Sequence, residues 1–312
     1  MSVSLHKAAR VLLPGALALL LVACGSVPTV LPPPQAEPAA APAAPARPPR
    51  IGLALGGGAA RGFAHVGVIQ VLEEAGLRPD LVVGTSAGSL VAALYASGRN
   101  GAQLQQVAET MEEAAFTDWT LPIFSRGLLR GEALARYVNT QVGARQIQDM
   151  ALPLGIVATD LHSGQGVLFQ RGDTGTAVRA SSAVPALFQP VRIGAREYVD
   201  GGLISPVPVG YARQMGAELV IAVDISAAPE GNSASDSLQI LLQTFAIMAR
   251  SINRWELRDA DVLLRPALDG VGGADFGARR RAIAAGRLAM QRALPQLRQL
   301  MASRSRGTNN LP

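Results

Sequence analysis

Cysteine is nearly absent from this chain: Cys24 is the only one in 312 residues. No intramolecular disulfide and no cysteine-based metal site can form. Lysine stops at Lys7, and every later basic residue apart from histidine is arginine. That excludes a Walker A lysine, a pyridoxal phosphate Schiff base and an S-x-x-K acylation site. Histidine is confined to His6, His65 and His162. Acidic residues are missing from Phe276 to Pro312, a stretch that holds Arg279, Arg280, Arg281, Arg287, Arg292, Arg298, Arg304 and Arg306. The formal net charge of +5 suits an anionic membrane surface without demanding one. No nucleic-acid partner is expected.

Lys7 and Arg10 precede an apolar run from Val11 to Ala23, broken only by Pro14 and Gly15. The run is shorter than the roughly 20 residues of a membrane span and reads as a signal peptide over residues 1–23. Leu21-Val22-Ala23-Cys24 resembles a bacterial lipobox. That resemblance implies a lipid on Cys24 and a membrane anchor there. Gly25, not Asp, follows the cysteine, which favours the outer membrane, facing the periplasm. Residues 24–50 form a Pro/Ala-rich linker that cannot bury a core and reads as a semi-rigid spacer. Residues 51–306 are long enough for one large α/β domain, leaving 307–312 as a tail.

Within that domain the pattern alternates. Ile51 to Leu55, Leu81 to Val83, Leu154 to Thr159, Val167 to Phe169, Val191 to Ile193, Glu197 to Val199, Glu218 to Ile225 and Val262 to Leu264 read as strands. Helices are expected at about 62–74, 88–97, 102–114, 131–142, 174–182 and 237–254, and 229–235 reads as a polar loop. Strand–helix alternation predicts a mostly parallel sheet covered on both faces.

Gly84-Thr85-Ser86-Ala87-Gly88 lies between a strand and a helix. A G-x-S-x-G in that setting is a nucleophile elbow, with the serine at the top of the sheet and small neighbours at the turn. Serine needs a base. His162 precedes the candidate acid at 200, so the order Ser…Asp/Glu…His fails. His65 precedes the serine, and both histidines equally suit structural hydrogen bonding. Asp200, in Asp200-Gly201-Gly202 at a strand end, can act as general base if a dry site raises its low pKa. Asp-Gly also makes ordinary β-turns. Gly56-Gly57-Gly58-Ala59-Ala60-Arg61-Gly62 links strand to helix and offers backbone N–H donors to an oxyanion. As a dinucleotide fingerprint it fails, since Arg61 or Ala59 falls where glycine is required.

These motifs, in this order, resemble the bacterial patatin-like phospholipase family, here as a lipoprotein member. Arg179 to Phe188 and Ala158-Thr159-Asp160-Leu161 also resemble stretches of that family. The likeness implies a three-layer α/β/α fold and hydrolysis of lipid or phospholipid acyl esters, with neither metal nor cofactor. It assigns Ser86 as nucleophile and Asp200 as proton acceptor. The oxyanion loop is Gly56, Gly57, Gly58, Ala59, Arg61 and Gly62, with the amides of Gly57 and Gly58 as donors. A general carboxylesterase, or an idle envelope lipoprotein that uses the fold for binding, stays open.

In the basic C-terminal stretch, Met290, Leu294, Leu297 and Met301 recur at helical spacing. Such a helix can lie on an anionic bilayer, or pack its apolar stripe on the domain and solvate its arginines.

Overall fold

A computed structural model describes residues 47–112, 118, 126–227 and 235–307. The signal peptide, Cys24, most of the linker, most of the 229–235 loop and the residues after 307 lie outside them. The strands are β1 (Ile51–Leu55), β2 (Leu81–Thr85), β3 (Gly127–Leu129), β4 (Leu154–Asp160), β5 (Gly166–Phe169), β6 (Ala186–Phe188), β7 (Val191–Ile193), β8 (Arg196–Asp200), β9 (Leu219–Val223) and β10 (Val262–Leu264). The helices are α1 (Phe63–Glu74), α2 (Ala87–Ala96), α3 (Gly101–Thr110), α4 (Glu132–Gln141), α5 (Thr174–Ser181), α6 (Val209–Gln214), α7 (Ser237–Glu256) and α8 (Arg279–Gly307).

The main sheet runs β10-β9-β1-β2-β4-β8-β7, with β5 also paired to β4. Strands β10, β9, β1, β2 and β4 are parallel. Strands β5 and β8 pair antiparallel with β4, and β7 antiparallel with β8. Successive strand residues face opposite sides of the sheet. Leu53, Leu55, Ile221 and Val223 therefore join the core built with α1, α2, α3 and α8, while Ala54, Val83, Val220 and Ala222 pack with Val209 and Ala212 of α6. The result is the three-layer α/β/α arrangement expected, with a mostly parallel centre.

Helix α1 is apolar on nearly every side because it lies between the sheet and α8. The two helices cross at paired glycines. A Cβ on Gly67 would fall on the Ile283 carbonyl, and one on Gly286 on the Ala64 carbonyl.

The basic C-terminal stretch forms α8, and its apolar stripe packs inward. Ala282, Ile283, Met290 and Leu297 are buried. Arg287 pairs with Glu74 at 2.8 Å. Arg279 donates to the Ala108 and Glu109 carbonyls and sits 5.8 Å from the Phe63 ring centre. Arg304 bonds Asp261. Of the two readings left open by sequence, the packed helix describes α8. Two elements have no counterpart in the sequence reading. These are α6 and the small parallel sheet β3–β6.

Candidate active site

Register brings Ser86 and Asp200 together. Strand β4 carries both neighbours at adjacent positions: Val157 pairs with Thr85 of β2, and Ala158 pairs with Asp200 of β8. Each functional residue thus leaves the sheet at the same level.

The elbow is built from missing side chains. A Cβ on Gly84 would meet the Gly88 carbonyl, and one on Gly88 would meet the Leu55 carbonyl. A Cβ on Gly62 would come within 3.0 Å of the Ala87 methyl. Ser86 itself has φ 53° and ψ −125°, a conformation that L-residues rarely hold. Several bonds fix it there. Its N–H donates to Ser181 Oγ at 2.8 Å, and Ser181 in turn donates to the Val157 carbonyl at 2.6 Å. Its carbonyl accepts from Ser89 Oγ at 2.6 Å. Thr85 Oγ1 donates to the Ser205 carbonyl at 2.8 Å.

Asp200 is held as firmly. Its N–H donates to the Ala183 carbonyl at 3.0 Å, and its carbonyl accepts from Thr159 Oγ1 at 2.9 Å. Its Oδ1 accepts from Gly202 N at 2.7 Å, so Gly202 serves the carboxylate. Gly201 has no room for a side chain because a Cβ would strike the Val157 carbonyl. The other carboxylate oxygen, Oδ2, is buried and without a hydrogen-bond partner among the described residues. Burial pushes the carboxyl up to about 6, against the opposing pull of Gly202 N and of the nearby Ser86 hydroxyl. Ser86 is therefore close enough to favour the carboxylate, yet its hydroxyl does not close a hydrogen bond to Oδ2.

The glycine loop differs in one respect from expectation. Gly57 lies against the serine, with room for a Cβ only 3.1 Å from Ser86 Cβ. Its N–H, however, donates to the Pro206 carbonyl at 2.9 Å, and Gly56 N donates to Val223. Among the described residues, no acceptor takes the N–H groups of Gly58 and Ala59. Ala59 has φ 52°, and a 3-10 turn over Ala59–Gly62 leads into α1. The two open donors are thus Gly58 and Ala59 rather than Gly57 and Gly58. Arg61 is largely buried beside them, its Nε unpartnered and its pKa lowered by burial.

Neither histidine faces this site. His65 is fully buried, and its Nε2 donates to the Gly56 carbonyl at 2.8 Å. Burial lowers its pKa to about 4, so the ring stays neutral at pH 7. It is a buttress for the glycine loop. His162 is exposed on the turn after β4, 3.8 Å from Glu197. Among the described residues no group of three His, Cys, Asp or Glu side chains could hold a metal ion.

Ser86, Asp200, Gly57, Gly58, Ala59 and Arg61 all line one cavity of about 1630 Å³. Its inner wall is apolar, formed by Val66, Leu90, Leu94, Leu104, Val107 and Met111, and its outer wall is the inward side of α7. This exceeds the roughly 300–1,000 Å³ of a drug-sized site. Ser181, Thr159 and Pro206 were not foreseen as parts of the site. The first two lie in stretches singled out from the sequence, but their partners are distant in the chain.

Comparison with known proteins follows the same lines. Residues 53–213 match the family model described as patatin-like phospholipase. An NTE family protein of Mycobacterium tuberculosis is 35% identical over 204 residues, covering 65% of this chain and 56% of that protein. Patatin-like phospholipase domain-containing protein 6 of Mus musculus is 36% identical over 188 residues, 58% of this chain and 14% of that protein. The chain thus spans about half of the mycobacterial relative and a small part of the mouse one. Among solved structures, VipD from Legionella pneumophila has a similar fold, with a TM-score of 0.54 at 15% identity over 80% of this chain and 67% of that one.

Proposed function

The chain belongs to the patatin-like phospholipase family, and from that premise we propose that it is a serine acyl hydrolase of phospholipids or lysophospholipids. The observation that carries this reading is the pairing of an unpartnered, buried Asp200 Oδ2 with a strained Ser86 in one large, apolar-walled cavity.

The chemistry follows from these groups. Substrate enters with its acyl chain along the apolar wall and its ester carbonyl over Ser86. Asp200 Oδ2 takes the hydroxyl proton as Ser86 Oγ bonds to the carbonyl carbon. The carbonyl oxygen becomes an oxyanion and accepts from the open N–H groups of Gly58 and Ala59, which the loop holds in place without later reorganisation. Collapse of the intermediate breaks the ester bond, and the proton on Asp200 passes to the departing alkoxide. A water then attacks the acyl-serine, giving its proton to Asp200. Breakdown of that second intermediate frees the fatty acid and returns the proton to Ser86. A carboxyl with a pKa of about 6 is mostly ionised at neutral pH, yet basic enough to act.

The finer parts of this reading are proposals of the same kind. Residues 51–306 act as the catalytic domain. Cys24 is lipidated after removal of residues 1–23, and the linker holds the enzyme at the outer membrane facing the periplasm. No helix among the described residues is long and apolar enough to cross a membrane. In the envelope, Cys24→Ser should lose incorporation of a palmitate analogue, and equal label in variant and parent would refute the anchor.

A lipid panel tests the substrate. The parent chain should release fatty acid from phospholipid or lysophospholipid and bind a fluorophosphonate covalently at Ser86. Turnover confined to short soluble esters would favour the general carboxylesterase, and no labelling at all the idle lipoprotein.

A further inference from the structure

Helix α7 is apolar on two opposite sides. Leu242, Phe245, Ala246 and Ala249, at i, i+3, i+4 and i+7, line the cavity that holds Ser86 and Asp200. Ile240, Thr244, Ile247, Ser251 and Trp255, at i, i+4, i+7, i+11 and i+15, run along the other side, with Met248 at their edge. On this outer side Ile240 is 55% exposed, Ile247 54%, Met248 44% and Trp255 67%. Asn253 is the only buried residue of the helix. Singly exposed apolar residues are ordinary, but a contiguous stripe marks an interaction surface.

Charge indicates which partner fits. From Ser237 to Trp255 the helix has no acidic side chain, while Arg250 and Arg254 are exposed along its second half. Arg258, one turn further, lies 4.1 Å from the Trp255 ring centre. An exposed tryptophan with an arginine on its ring, at the end of a stripe with exposed Ile and Met, matches the interfacial zone of a bilayer with anionic headgroups. The helix also reaches the reacting groups. Glu256 at its end accepts from the Ser205 hydroxyl, whose carbonyl in turn accepts from Thr85, the residue before Ser86.

We propose that the outer face of α7 docks on an anionic lipid surface and sets the mouth of the cavity against it. Ile240, Ile247 and Trp255 enter the headgroup–acyl boundary, Arg254 and Arg258 meet the phosphates, and an acyl ester crosses from bilayer to Ser86 past the inner face of the same helix. The proposal rests on the lipid-ester reading above, but its test is separate.

The full chain carrying Cys24→Ser and Trp119→Phe leaves Trp255 as the sole tryptophan and removes the expected anchor. It is mixed with vesicles of brominated phosphatidylcholine containing a minority of phosphatidylglycerol. Trp255 emission should shift to the blue and be quenched. Adding Ile247→Asp and Met248→Asp should lower hydrolysis of vesicle lipid by about tenfold or more, while turnover of a soluble short-chain ester stays within about twofold. Unquenched Trp255, or equal vesicle turnover in parent and variant, overturns the docking. So does a dimer in solution, seen by sedimentation, that the two aspartates dissociate. Quenching without phospholipid hydrolysis leaves the docking standing and removes the substrate reading. Hydrolysis of micellar phospholipid with Trp255 still in water does the reverse.

Discussion

Helix α8 is rich in arginine and helix α7 in exposed aliphatic side chains, and their surroundings differ accordingly. In α8 the apolar residues Ala282, Ile283, Met290 and Leu297 are buried, and Arg279, Arg281, Arg287 and Arg304 bond to carbonyls or carboxylates of the domain. In α7 a single residue is buried; Leu242 and Phe245 line the cavity, while Ile240, Ile247, Met248 and Trp255 are exposed. From composition, α8 suits either an anionic membrane or a packed place on the domain. In the fold Arg279, Arg281, Arg287 and Arg304 are taken up by Glu74, Asp261 and backbone carbonyls, while Arg280, Arg292 and Arg298 stay exposed and the apolar stripe is covered. A basic amphipathic run implies a lipid partner only where its apolar stripe is left uncovered, and the uncovered stripe lies on α7.

The contrast can be broken most forcefully at the α1–α8 crossing. Gly286→Leu should cost ~3 kcal/mol or more, because the new side chain must displace the Ala64 backbone. A urea midpoint equal to the parent's would show that α8 is not the packed helix described here. On the outer face of α7, Ile247→Asp should change the unfolding free energy read from the same titration by no more than about 0.5 kcal/mol, as expected of exposed positions. A large loss there would mean that the face is covered within the protein.

Arg287→Ala tests the smaller part of the contrast. The pair with Glu74 is partly exposed, so its loss should cost less than about 1 kcal/mol and leave vesicle binding unchanged. Weaker vesicle binding in that variant alone would return α8 to the membrane.

A pH series sharpens the picture at the site itself. Asp200 has its pKa raised by burial to about 6, and Glu256 to about 7. A carboxyl raised in the folded state holds its proton more tightly there than in the unfolded chain. Its stabilising effect is complete below the unfolded value of about 4 and is lost as pH rises through the folded value. The melting temperature of the parent should therefore fall across about pH 4–7, partly offset by His65, whose lowered value works the other way between about 4 and 6.5. Asp200→Asn, which buries no charge, should fall less, so the gap between variant and parent widens with pH. A constant gap would contradict the buried, unpartnered carboxylate.

Much of the site was legible because its requirements are local. Gly84, Gly88 and Ser86 form one turn, and the need for small flanking residues shows directly in the sequence. Asp200 was legible through its two glycines, one of which proves to bond the carboxylate. The Gly57 amide was misassigned because its acceptor, Pro206, lies far away in the chain. Ser181 and Thr159 escaped for the same reason: each is fixed by a partner that only the sheet register brings near. Strands β3 and β6 are three residues each, and α6 six. Strands β7 and β10 are as short but contain β-branched Val or Ile, a mark that Gly-Leu-Leu in β3 and Ala-Leu-Phe in β6 lack.

The central claim is that Asp200, not a histidine, takes the proton from Ser86. The most direct measurement is kcat/KM against pH on one soluble ester, for the parent, Asp200→Asn and His65→Gln. For the parent the rate should rise through about pH 6, the value to which burial lifts Asp200, and Asp200→Asn should lose roughly 10²–10⁴-fold. Folded His65→Gln should lose far less and keep the same midpoint. A rise centred near pH 4, where His65 titrates, with an active Asp200→Asn beside an inactive His65→Gln, would contradict the Ser86–Asp200 pair.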